Sequence, residues 1–127
     1  MAKREPISGP GIPKHNQPFP TAVKIGNMVY SSAIGGPDPE TGKYPEGIEE
    51  QVRNAFQAVR RIMELAGGSP ANIAKMDVFL RDRDDRKHVN PHWLEMFPDE
   101  NDRPVRHTIA APLEGPVRIQ LEFVALL

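Results

Sequence analysis

Two apolar-rich runs near the C-terminus, each carrying an isolated charge, constrain the fold of this chain most. The first is Arg103-Pro104-Val105-Arg106-His107-Thr108-Ile109-Ala110-Ala111-Pro112-Leu113, and the second runs from Val117 to Phe123. In the second, Val117, Ile119, Leu121 and Phe123 alternate with Arg118, Gln120, Glu122 and Val124. A period of two marks a strand with one apolar face. Pro112, Gly115 and Pro116 bound the short loop between the runs. If the two runs pair as a hairpin, Arg106 and Glu122 could reach the same face, although loop length does not set the register. A charge in a half-buried strand must face solvent or serve a purpose inside. The residues alone leave both readings open: a cross-strand ion pair, worth about a fraction of a kcal/mol when exposed, or a functional pair.

Upstream, residues 1–20 carry many breakers and predict an extended arm with one short strand near Ile7. Residues 21–25 and 28–32 predict a hairpin closed by Gly26-Asn27, a dipeptide suited to a turn that needs positive φ. The loop Gly35-Gly36-Pro37-Asp38-Pro39-Glu40-Thr41-Gly42 lacks the spacing and the Lys-Ser/Thr of a phosphate cradle. Residues 48–66 form the clearest helix, with Ile48, Val52, Ala55, Phe56, Val59, Ile62, Met63 and Ala66 on one stripe and Gly67-Gly68 as its stop. Ser69-Pro70 predicts a capped helical turn. Residues 75–80 read as a strand with Met76, Val78 and Leu80 inward. The charged run 81–87 reads as a solvated loop and first helical turn. A second helix then reaches Phe97 with Val89, Trp93, Met96 and Phe97 inward; Pro91 either kinks it or makes Asn90 a fresh N-cap.

These elements predict a single α+β domain over residues 1–127, a mixed sheet with two helices on one face. The other face of such a sheet is left open, and oligomerisation is an economical cover. With 16 Lys and Arg against 17 Asp and Glu the chain has no basic footprint for nucleic acid. No apolar run is long enough for a bilayer, and Met1-Ala2-Lys3-Arg4-Glu5-Pro6 lacks the core of a signal peptide, so a cytoplasmic location and no membrane partner are expected. Without cysteine, thiolate catalysis and Cys-ligated zinc are excluded. His88 and His92 have helical metal spacing, but Pro91 lies between them and no Glu follows His88, so no metal site is expected. Ser32 has no assured His/Asp partner for a triad.

Several short motifs, in order and at matching intervals, resemble those of the Rid (reactive intermediate deaminase, YjgF/L-PSP) family. They are Gly26-Asn27-Met28-Val29-Tyr30-Ser31-Ser32, the Asp38-Pro39-Glu40-Thr41-Gly42 loop, Gln51 with Asn54 in the long helix, Val89-Asn90, and Pro104-Val105-Arg106 followed by the Ile119-Gln120-Leu121-Glu122-Phe123 strand. The resemblance covers nearly the whole length. It implies a chorismate-mutase-like fold in a homotrimer whose sheets form a central barrel with clefts between subunits. It also implies a cofactor-free hydrolysis that turns a carboxylate-bearing enamine or imine into a keto acid and ammonia. By resemblance Arg106 binds the substrate carboxylate and Glu122 handles the proton or the attacking water. Phe19, Ser32, Asn90 and Thr108 would line the cleft.

Those roles suit the residue types. A guanidinium is a planar fork matched to a carboxylate, and a positioned carboxyl group can pass protons during imine hydrolysis, typically for about 10²–10⁴-fold. The chain departs from the family pattern at Phe19, where many members have tyrosine, and at Thr108, where many have cysteine. His107 stands where a small residue is common and should face away from Arg106 and Thr108, as a packing or interface residue. Such departures suggest a subgroup related to 2-aminomuconate deaminases. A trimeric, non-catalytic binding protein for small carboxylates is the competing expectation. Family members have also been described as ribonucleases or translation inhibitors, which the acidic balance here disfavours.

Overall fold

A computed structural model describes residues 3–127 of the chain. Six strands form one sheet: β1 (Arg4–Ile7), β2 (Ala22–Ile25), β3 (Met28–Ser31), β4 (Ile73–Leu80), β5 (Val105–Ala110) and β6 (Ile119–Leu126), in spatial order β1-β2-β3-β6-β4-β5. Two helices, α1 (Ile48–Leu65) and α2 (Arg86–Met96), lie between β3 and β4 and between β4 and β5. Only β4 and β5 pair in parallel; the other ladders are antiparallel. Among the described residues no helix is long and apolar enough to cross a membrane.

Local sequence explains the early elements. β2 and β3 pair with Ile25 opposite Met28, so Gly26-Asn27 is a two-residue turn, and Gly26 sits at φ +60° where a side chain would be strained. The apolar stripe of α1 is buried as its period requires, and Gly67 at φ +89° ends the helix. Ser69 caps the following 3-10 turn, its hydroxyl accepting from Ala71 N–H while Asn72 Oδ1 accepts from Ser69 N–H. The helix α2 runs through Pro91 unbroken, and Asn90 is an interior residue with a task of its own rather than a fresh cap.

The C-terminal hairpin does not form. β5 pairs with β4, and β6 pairs with β4 and β3, so β4 stands between the two runs. A parallel neighbour needs a crossover, and α2 supplies it. The loop after β5 then passes over the end of β4. Ala111 N–H donates to Leu80 O at 2.9 Å and Arg81 N–H to Arg118 O at 3.1 Å. The Arg81 guanidinium adds hydrogen bonds to the carbonyls of Leu113, Gly115 and Val117. One cation thus gathers three loop carbonyls and routes the chain to the far side of β4.

Cross-strand partners project to one face of a sheet. Met76 is opposite both Arg106 and Phe123, and Met76 and Phe123 are buried beneath the helices. Arg106 therefore lies on the helix-covered face. Glu122 is opposite Asp77, itself opposite His107, and this row lies on the bare face. The condition under which Arg106 and Glu122 could share a face is not met: the inserted strand β4 puts them in rows one residue out of step. The bare face also carries Val23, Tyr30, Val124, Phe79 and Ile109, none of them beneath a helix.

The charged run 81–87 holds a second surprise. Asp85 is buried, 6% exposed, and its carboxylate accepts from Arg118 Nη2 at 3.2 Å. Gln51, with no exposed surface, ties the same region together. Its Nε2 donates to Pro45 O at 2.7 Å and Pro116 O at 2.9 Å, and its Oε1 accepts from Arg118 N–H at 2.9 Å. Gly36 packs against the same turn of helix so closely that an added Cβ would stand 1.9 Å from Gln51 O.

Candidate functional site

The residues proposed from sequence gather into two groups. Arg106, Asn90 and Thr108 come together where the edge strand β5 meets α2. Arg106 Nε donates to Thr108 Oγ1 at 2.9 Å and Nη1 to Asn90 Oδ1 at 2.8 Å. The guanidinium carbon stands 5.2 Å from the centroid of the Trp93 ring, a cation–π distance. Strand alternation puts Arg106 and Thr108 on one side, and the helical i, i+3 step puts Asn90 beside Trp93. Partial burial, and then the positive charge of Arg86, hold the Arg106 pKa below that of a free guanidinium. Four ion pairs form among the described residues, and none includes Arg106. A half-buried cation, held at two of its nitrogens by neutral acceptors, is thus left without a counter-charge.

Asn90 gives its oxygen to Arg106, which leaves its amide nitrogen to donate elsewhere. Ala111 N–H points to β4, so by the two-residue alternation Thr108 N–H falls on the free edge of β5. Three donors of different kinds, the guanidinium, an amide and a backbone N–H, thereby border one edge. That is a setting for an oxyanion.

Phe19 and Ser32 belong to the second group. With His15, Thr21, Tyr44 and Gln120 they line an open hollow of about 300 Å³. Phe19 is 52% exposed and packs against His15 in a tilted arrangement, 4.5 Å between ring centroids. Ser32 is fixed by its hydroxyl, which donates to Thr21 O at 2.9 Å. Burial raises the Tyr44 pKa. Gln120 and Glu122 are two apart on β6 and share the bare face, but Glu122 does not line the hollow. Beside Glu122, Asp77 Oδ1 is buried without a hydrogen-bond donor; Lys75 Nζ, at 3.8 Å, is too far to supply one.

The two histidines with metal-like spacing are engaged separately. His88 Nδ1 is 3.3 Å from Glu49 Oε1, and His92 stacks on Phe56 at 5.8 Å. His107 is exposed and lies on the face opposite Arg106 and Thr108, as strand alternation predicts. Sequence reasoning gave Trp93 a packing role alone and missed its contact with the guanidinium. It also missed Tyr44 and Gln120, which sit in a loop and on a strand with no motif to mark them.

Residues 12–126 match the family model described as Endoribonuclease L-PSP. The chain belongs to the Rid/YjgF/L-PSP family. A RutC family protein of Aquifex aeolicus is 33% identical over 118 residues, 91% of this chain and 94% of that one. The 2-iminobutanoate/2-iminopropanoate deaminase of Escherichia coli is 32% identical over 111 residues, 86% of this chain and 87% of that one. The crystal structure of RidA from the Antarctic bacterium Psychrobacter sp. superposes with a TM-score of 0.89 at 30% identity, over 98% of this chain and 100% of that one. The RidA structure thus shares this fold over nearly the whole chain.

Proposed function

We propose that the protein is a cofactor-free hydrolytic deaminase of imine and enamine acids, working in clefts between the subunits of a homotrimer. The observation that carries this reading is the Arg106 guanidinium, pre-oriented by Asn90 and Thr108 over Trp93 and lacking a carboxylate partner. Such a fork accepts a substrate carboxylate. The names of relatives as imine deaminases supply the reaction class.

In this mechanism the substrate carboxylate occupies the open edge of Arg106 and takes a hydrogen bond from the Asn90 amide. The imine nitrogen is protonated, water adds to the carbon, and the tetrahedral carbinolamine collapses to a keto acid and ammonia. The step is redox-neutral, with water the only co-reactant. Glu122 passes protons between the attacking water and the departing nitrogen. Because Arg106 and Glu122 lie on opposite faces of one sheet, they would meet through a second copy, its bare face bringing Glu122, Ser32 and Phe19 to the β5 edge of the first. The uncovered apolar side chains of that face support such packing.

The test generates 2-iminopropanoate in place from alanine with an amino-acid oxidase and follows keto-acid release. Acceleration by the protein, abolished in Arg106→Ala, is expected. Carboxylate binding without acceleration would replace the enzyme by a metabolite-binding protein, and neither acceleration nor binding would overturn both readings.

A further inference from the structure

The seam between α1 and α2 holds a hollow that neither group above uses. Arg53, Phe56 and Arg60 stand at i, i+3 and i+7 on α1, and His92, Glu95 and Met96 at i, i+3 and i+4 on α2. Each set forms one stripe of its helix, and the two stripes line a space of about 230 Å³. Phe56 and Met96 are buried and make its floor. The half-buried His92 ring lies along Phe56, 29° from parallel, so the floor continues into a flat aromatic wall.

The charges on the walls are uncommitted. Among the described residues no ion pair includes Arg53, Arg60, His92 or Glu95. Arg61 shows the contrast: its Nε donates to Pro10 O at 3.0 Å and its Nη1 pairs with Glu64 at 3.1 Å. Arg60, its neighbour in sequence, points into the seam instead. Glu95 borders the same space but closes on neither arginine. Two guanidinium groups against one carboxylate leave the hollow positive.

That combination has a matching ligand. Each guanidinium fork takes two oxygens of a phosphate or a carboxylate, and two forks suit a dianion better than a monoanion. The His92 and Phe56 rings offer a stacking surface to a further ring. The space is smaller than the roughly 300–1,000 Å³ of sites for larger ligands, and suits one ring with one substituent. We infer that the seam binds an aryl phosphate, its ring against His92 and Phe56 and its oxygens on Arg53 and Arg60. This site is separate from the deaminase reading and stands without it.

The experiment is calorimetric titration of the assembled protein with phenyl phosphate, cyclohexyl phosphate, inorganic phosphate and benzoate. Phenyl phosphate should bind most tightly of the four. Arg53→Gln and Arg60→Gln should each weaken it about 5- to 10-fold, between an exposed ion pair and a buried charged hydrogen bond. Glu95→Gln should tighten it about 2- to 5-fold by removing the opposing charge. His92→Leu should reduce the preference for phenyl over cyclohexyl phosphate, an effect that loss of charge alone would not produce. Arg106→Ala should leave the affinity unchanged, which separates this site from the carboxylate fork at β5. A short phosphotyrosine peptide presents the same group. Tighter binding of the peptide than of phenyl phosphate assigns the seam to a modified protein, and weaker binding to a free metabolite, both within the inferred class. No binding, binding lost in Arg106→Ala, or binding indifferent to Arg53→Gln and Arg60→Gln overturns the inference. So does inorganic phosphate or benzoate binding as tightly as phenyl phosphate, since the seam would then be a bare anion site.

Discussion

Replacing Gln51 by leucine tests the buried polar joint beneath the site. Leucine has nearly the volume of glutamine, so no cavity opens and the effect isolates hydrogen bonding. Three groups lose their partner: Pro45 O, Pro116 O and Arg118 N–H. A buried group left unsatisfied costs about 1–3 kcal/mol. Pro116 is in an exposed loop, so its carbonyl regains water at little cost. The remaining two put the expected loss at about 3 kcal/mol. For a chain of 127 residues that corresponds to a fall in Tm of about 12 °C. The assay is denaturant or thermal melting at fixed protein concentration, since assembly would otherwise add a concentration-dependent contribution. Gln51→Glu should be worse at neutral pH, because a carboxylate faces two carbonyls, and should recover in part on acidification. A loss below about 1 kcal/mol for Gln51→Leu would refute the claim that this amide joins α1 to the loop before β6.

Asp85→Ala should cost about 3 kcal/mol by leaving Arg118 without its buried partner, whereas the double change Asp85→Leu with Arg118→Met should recover much of that loss in the same melting assay. Trp93→Leu removes the ring beneath the guanidinium, and a cation–π contact of about 0.5–1 kcal/mol predicts a 2- to 5-fold rise in KM with a smaller change in kcat. Tyr44 should titrate above the free phenol in an ultraviolet phenolate titration, because burial favours its neutral form. Its folded pKa is raised, so its stabilising contribution is complete below about pH 10 and is lost as pH rises through the folded value. Tyr44→Phe should remove that part of the alkaline loss.

Elements with a local period were legible in the sequence. The stripe of α1 and the Gly26-Asn27 turn each follow from a few neighbouring residues, and both stand where the pattern puts them. The pairing of β5 was not legible, because strand partners are chosen by the whole sheet. Nothing in Pro112, Gly115 or Pro116 records that β4 lies between β5 and β6, nor that Arg81 draws the loop across. Asp85 could have been found: it precedes Val89 by four and Trp93 by eight, on the buried stripe of α2 carried one turn back. The stretch of like-seeming charges from Arg81 to Lys87 concealed it. Of the residues assigned to one cleft by resemblance, Arg106, Asn90 and Thr108 are brought together by strand alternation and the second helix, while Phe19 and Ser32 lie elsewhere. Glu122 would share the face of Arg106 only in a hairpin that does not form.

Subunit complementation tests the divided site most directly. Arg106→Ala and Glu122→Gln, each inactive alone, are co-expressed with different tags, and mixed assemblies are purified through both tags. If each cleft takes its arginine from one copy and its glutamate from the next, every mixed trimer holds one intact cleft of three and should restore about a third of the wild-type keto-acid release per site. Mixed assemblies with no activity above either parent would show that both side chains must come from the same chain, contradicting the account.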